Sequence, residues 1–123
     1  MTNEGAPTFD LSERTASFGE AVIKFALTIR RNAVTGPLLS QLVRAATSVG
    51  LNYCEADEAG SRKEFKYRIS ICKRESRETK LALRFVVKAS QDDKAQSNAR
   101  PLWSEAHELN RIFAAIHRNT KDD

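Results

Sequence analysis

Between Phe65 and Val86 the chain returns to one line at every third or fourth residue: Phe65, Ile69, Cys72, Ser76, Thr79, Leu83, Val86. That is the period of an α-helix; a strand repeats every second residue and cannot gather this set on one side. The segment from 61 to 90 is therefore expected to be a single helical rod roughly 45 Å long. Whatever packs against it must cover one narrow line. Ser76 and Thr79 are polar members of that line, where a hydroxyl can bond back to the carbonyl of the preceding turn.

Three other segments show the same period. The first opens at Asp10, with Glu13 three residues later in the spacing of a capping box, and carries Leu11, Phe18, Val22, Phe25 and Ile29 to about residue 31. Gly36-Pro37 interrupts it. The second, about 37–58, carries Leu39, Leu42, Ala46, Val49 and Tyr53, with Ala45, Ser48 and Gly50 small enough for a neighbour to approach. Gly50 costs about 1 kcal/mol in a helix relative to alanine, so a packing role is expected for it. Gly60 is expected as a left-handed C-cap, and Ser61 with Glu64 as the N-terminal cap of the long rod. A break this short forces an antiparallel hairpin. The polar stretch DDKAQSN, 92–98, reads as a connector, and Pro101 as the opening of a last helix over 101–118, with Leu102, Ala106, Leu109, Phe113 and Ile116 on its stripe. At 123 residues the chain can bury one core but not two. An all-α, antiparallel up-down-up-down four-helix bundle in one domain, 1–123, is the expected fold, with 1–9 and 119–123 flexible.

Several functions are set aside by what the chain contains. No window approaches eighteen apolar residues, so no membrane partner is expected. MTNEGAPTFD has no basic region followed by an apolar run, and two cysteines, Cys54 and Cys72, make no disulfide framework; a reducing cytoplasm is the expected compartment. Glu55/Glu58, Glu75/Glu78 and Glu105/Glu108 resemble carboxylate pairs of a metal site, but the Glu-x-x-His pairs that such bundles need do not occur. Glu105 and Glu108 read as solvated. His107 and His117 stand nearly three turns apart. Neither cysteine has a histidine spaced to activate it, and the five glycines form no phosphate loop. No metal, no cofactor and no catalysis are expected.

Charge is distributed unevenly. The net charge is +4, yet residues 61–90 hold ten basic and three acidic side chains, so the rest of the chain is net acidic. On a helical wheel with Phe65 at zero, Arg62, Lys63, Lys66, Lys73, Arg74, Arg77, Lys80, Arg84 and Lys88 fall between about +60° and 180°. Arg68 alone lies elsewhere, and Glu64, Glu75 and Glu78 gather on the opposite flank. The cations form a ridge about 39 Å long with no carboxylate inside the sector. Such a ridge can be a solvated face whose stems cover apolar surface. It can also hold a polyanion, or the acidic surface of a protein partner or a neighbouring subunit. With no aromatic residue interleaved along it, contact with RNA or other nucleic acid would be directed at the phosphate backbone through Arg62, Lys66, Lys73, Arg77, Lys80, Arg84 and Lys88.

A second apolar face accompanies the first. Tyr67, Ile71 and Phe85 lie near −120° to −160° on the rod, and Ala16, Ile23 and Leu27 lie opposite the Phe18 stripe. Apolar surface left over after a bundle has closed marks an interface, so self-association through Ile23, Leu27, Tyr67, Ile71 and Phe85 is expected. In the antiparallel hairpin Glu75 and Glu78 come level with residues 43–46, which makes Arg44 their available partner.

The run from Leu38 to Leu83 resembles the bacterial four-helix-bundle family, also called the large-subunit ribosomal RNA intervening-sequence protein family. The resemblance lies in Gln41, Arg44, Ala45, Ala46 and Ser48, then Asn52 and Glu55, then Arg62-Lys63-Glu64-Phe65, then Glu75 and Glu78. Tyr53-Cys54 departs from the smaller or aliphatic residues of many members. The resemblance implies a ring-like homopentamer without catalytic residues, with Arg44, Asn52, Glu55, Glu75 and Glu78 as structural polar positions. Some members are encoded inside ribosomal RNA insertions, and distant relatives are basic accessory proteins of reverse transcriptases that touch both RNA and enzyme.

Overall fold

A computed structural model describes residues 10–122. Four helices follow one another: α1 Leu11–Leu27, α2 Thr35–Asp57, α3 Arg62–Ser90 and α4 Asp93–Asn119. The caps form at the residues whose chemistry suits them. Asp10 Oδ1 accepts from Glu13 N at 3.1 Å and Ser61 Oγ accepts from Glu64 N at 3.1 Å, each satisfying an N–H that the first helical turn leaves unpaired.

Contacts between consecutive helices run in opposite directions along the chain. On α2 and α3, Arg44 meets Glu75, Val49 O meets Cys72 Sγ, and Asn52 meets Arg68. On α3 and α4, Lys66 meets Asp122 near one end, Asn110 meets the Lys73 carbonyl, and Lys80 meets His107. Gly19 lies beside Thr47 and Gly50 beside Thr15, so α1 and α2 are also antiparallel. With α1 touching α4, the bundle closes in the up-down-up-down order. The four stripes meet in one core built from Phe18, Val22, Leu42, Val49, Ile69, Leu83, Val86, Leu109 and Phe113. Buried hydroxyls turn inward onto their own helices, Thr15 donating to Leu11 O and Thr79 to Glu75 O, each at 2.7 Å.

The chain departs from the sequence expectations at its punctuation. α1 ends at Leu27 and not near 31, because Asn32 Oδ1 accepts from Val34 N and Thr35 N and folds the chain into a turn, while Ile29 still reaches the core. α2 ends at Asp57, its last turn tightened by Glu58 N to Glu55 O and Ala59 N to Ala56 O, and no described glycine has positive φ, so Gly60 is not a left-handed cap. The left-handed residue is Gln91, at φ 56°, which ends α3. DDKAQSN is not a connector. Asp92 caps α4 through Lys94 N at 3.0 Å, residues 93–98 are helical, and Pro101 lies inside the helix. Pro101 cannot donate to the carbonyl four residues back. The helix nevertheless runs through it because Ala95 and Ala99 are buried in register with Leu102, Ala106, Leu109 and Phe113.

Gly50 faces α1, but a Cβ there would sit 3.5 Å from the Thr15 carbonyl oxygen, an ordinary contact, so packing does not require glycine. Gly50→Ala is expected to stabilise the fold by about 0.5–1 kcal/mol, the helix-propensity difference, measured as a higher urea midpoint with unchanged slope. A lower midpoint would show that the α1–α2 approach is tighter than this geometry allows.

Candidate nucleic-acid interface

Two sides of α3 are covered, by α2 and by α4. Toward α2 lies Glu75, only 4% exposed. Its Oε2 accepts from Arg44 at 3.4 Å and from Arg74 at 3.3 Å. Oε1 lies 3.3 Å from the Arg44 guanidinium but off the hydrogen-bonding direction, so it is paired in charge and left without a hydrogen bond. Arg44 also reaches Glu78 at 3.2 Å. These carboxylates, Glu75 foremost, hold the Arg44 guanidinium above its usual value. Further along the same seam Arg68 donates to Asn52 Oδ1 at 3.1 Å, and Asn52 donates to Ser48 O. Glu55 is exposed and joins no ion pair among the described residues, so it does not belong to this polar seam.

The sector left open carries the cations. Lys63, Lys73, Arg77, Arg84 and Lys88 are exposed and form no ion pair with a described residue; Arg62 is exposed too but is not unpartnered. Arg74 is partly committed to Glu75. On the α4 border Lys66 pairs with Asp122 at 3.0 Å. Lys80 is half-buried, its Nζ 3.1 Å from His107 Nδ1 and 5.2 Å from the Trp103 ring. Arg14 makes a two-pronged bond to Glu105, Nε to Oε2 at 2.7 Å and Nη2 to Oε1 at 3.0 Å, so Glu105 is not the solvated residue expected of it. Arg14 and Arg44 thus meet carboxylates at the helix seams, whereas Arg77 and Arg84 of the ridge form no ion pair with a described residue.

Among the apolar candidates, Ile23, Leu27, Tyr67 and Phe85 are exposed, but Ile71 is 8% exposed and unavailable to a partner. The reason is its wheel position, next to Glu75 on the side that turns to α2. Of the exposed set, Ile23 and Phe85 each line one of two grooves that flank α2, and Leu27 and Tyr67 line neither. Ala16, Gly19, Ile23, Gly50 and Leu51 line one, of about 470 Å³, between α1 and α2. Leu38, Ala45, Leu81 and Phe85 line the other, of about 270 Å³, between α2 and α3.

Cys72 is fully buried, donates to Val49 O at 3.5 Å, and burial pushes its thiol up to about 12. It is a core residue. Among the described residues no three histidine, cysteine, aspartate or glutamate side chains gather as a metal site, and no helix is long and apolar enough to cross a membrane.

Residues 9–116 match the family described as 23S rRNA-intervening sequence protein. The chain belongs to that family. A solved structure of a protein of unknown function from the S23 ribosomal protein family of Bacteroides thetaiotaomicron superposes with a TM-score of 0.74 at 22% identity, covering 88% of this chain and 98% of that one. At that identity the likeness establishes the shared four-helix fold. No curated protein matches the chain.

The electrostatic character of the open sector is felt at His117 on α4. Burial, then Lys66 and Lys73, push its imidazole below the ordinary value, and Asp122 opposes them. The unfolded chain therefore binds the proton more readily near pH 6, so this contribution to stability is present above the ordinary imidazole value and is lost as pH falls through the folded one. Lys73→Glu is expected to move the His117 titration, followed by proton NMR, back up toward the ordinary value. An unchanged titration would mean that the ridge exerts no field there.

Proposed function

We propose that this member of the intervening-sequence family is a non-catalytic, self-assembling RNA-binding accessory protein, holding phosphates along the open sector of α3. The observation that carries this is the contrast in how arginine and lysine are used. Arg14 and Arg44 pair with carboxylates, and Arg68 with Asn52, at the seams between helices, whereas Lys63, Lys73, Arg77, Arg84 and Lys88 stand exposed without a described carboxylate along one line. Like charges held in a row raise the energy of the free protein, and a phosphate backbone relieves it by releasing its own counterions. Helix-borne cations at this spacing track a backbone; they do not select a sequence.

Assembly rests on a separate observation. The two apolar grooves differ in shape and lie on either side of α2, which suits a head-to-tail contact repeated around a ring better than a two-fold contact of one patch with itself. A ring would repeat weak phosphate contacts and gain avidity. Docking of the ridge on an acidic protein surface is the competing outcome.

For a structured RNA, the affinity of the wild-type protein is expected to fall steeply with salt, and Lys73→Gln/Arg77→Gln/Lys88→Gln to flatten the log–log slope by about 2 to 3, between about 0.7 and 0.9 per lost contact. Salt-independent binding, or a triple variant with the wild-type slope, would remove the ridge from the interaction. For assembly, light scattering is expected to give a multiple of the single-chain mass, reduced by Phe85→Asp or Ile23→Asp without loss of helical circular dichroism. A wild-type protein at single-chain mass sinks the assembly proposal.

A further inference from the structure

The ridge is bordered by an aromatic ring that no wheel of α3 contains. Trp103, the one tryptophan of the chain, projects from α4 and is 43% exposed. His107, one turn later, stacks on it with ring centroids 5.2 Å apart and planes within 9°. Lys80 of α3 holds the pair: its Nζ is 3.1 Å from His107 Nδ1 and 5.2 Å from the indole centroid. Ammonium can only donate, so Nδ1 accepts and the imidazole proton stands on Nε2. Imidazole and ammonium thus hold the indole at the border of α3 and α4, while 43% of the residue stays open to the solvent.

Two recesses open beside it. One, of about 490 Å³, is lined by Arg74, Arg77, Glu78, Lys80, Leu81, Arg84 and Trp103, four cations to one carboxylate. The other, of about 330 Å³, is lined by Leu83, Arg84, Val87, Gln96, Arg100 and Trp103. Arg84 and Trp103 belong to both. An immobilised flat ring between two cationic recesses suits a flat aromatic ligand that carries negative charge on either side. A base within an unpaired nucleic-acid strand has that form: a π-face to stack, with a phosphate before and after. A base inside a duplex has no exposed face to offer.

We propose that Trp103 is a stacking platform for one unpaired nucleobase, with Arg77 and Arg84 on one side and Arg100 on the other receiving the flanking phosphates. This rests on the RNA-binding reading above and adds to it a preference for single-stranded segments. It also supplies the aromatic contact that the ridge itself lacks.

The single tryptophan makes the test direct. Titrate the full chain with a six-nucleotide single-stranded RNA and with a duplex RNA, following tryptophan fluorescence and, independently, the anisotropy of a dye on the RNA. The single strand is expected to quench Trp103 and the duplex to leave it nearly unchanged. Trp103→Ala should weaken single-strand binding about 5- to 150-fold while sparing the duplex, the range that stacking of one base supplies. Trp103→Phe should recover most of that loss, which a merely structural indole would not predict. Should Trp103→Ala leave both affinities unchanged, or lower both equally, the platform is overturned and the ridge stands. If the wild-type protein binds neither RNA even at low salt, the ridge and the platform fall together.

Discussion

The carboxylate of Glu75 is buried in the seam between α2 and α3, and the orientation of the bundle depends on how that charge is met. An ion removed from water costs several kcal/mol unless partners stand ready for it. Here Arg44 comes from α2 and Arg74 from the same helix, and one antiparallel register alone sets Arg44 against both Glu75 and Glu78. The same register brings Val49 to Cys72 and Asn52 to Arg68. With α2 drawn to the acidic flank of α3 and α4 packed on another, the cationic flank is the part of the rod still facing water. A buried negative charge thus selects which positive charges are displayed.

Much of this was legible in the sequence, and the failures share a cause. Helical stripes survive in the linear order because one side chain in three or four must reach the core, and Asp10 and Ser61 cap helices through their own hydroxyl and carboxyl oxygens. The ridge was legible because all of it belongs to one helix. The start of α4 was hidden by reading Pro101 as an opening, although Ala95 and Ala99 already extend the Leu102–Ala106–Leu109 stripe; alanine is too weak a hydrophobic signal to outvote a proline. Ile71 was misplaced because a wheel shows directions but not where a neighbouring helix ends. Trp103 beside Arg84, and Arg14 on Glu105, are products of register between helices, which no single-helix pattern records.

The open surfaces of the bundle are only partly divided by chemistry. The groove between α1 and α2 shares no lining residue with the cationic recess beside Trp103, whereas the groove between α2 and α3 shares Glu78 and Leu81 with it. A subunit seated in the second groove would therefore border the charges proposed to act.

The Arg14–Glu105 pair joins residues 91 apart in the chain, whereas the other interhelical bonds described above link consecutive helices. Hairpins of neighbouring helices close short loops and form quickly; bringing the first helix against the last closes nearly the whole chain and carries the largest entropic penalty. Closure of the seam of α1 with α4 is accordingly expected late in folding. The basic hairpin of α3 and α4 can take its shape before that door closes.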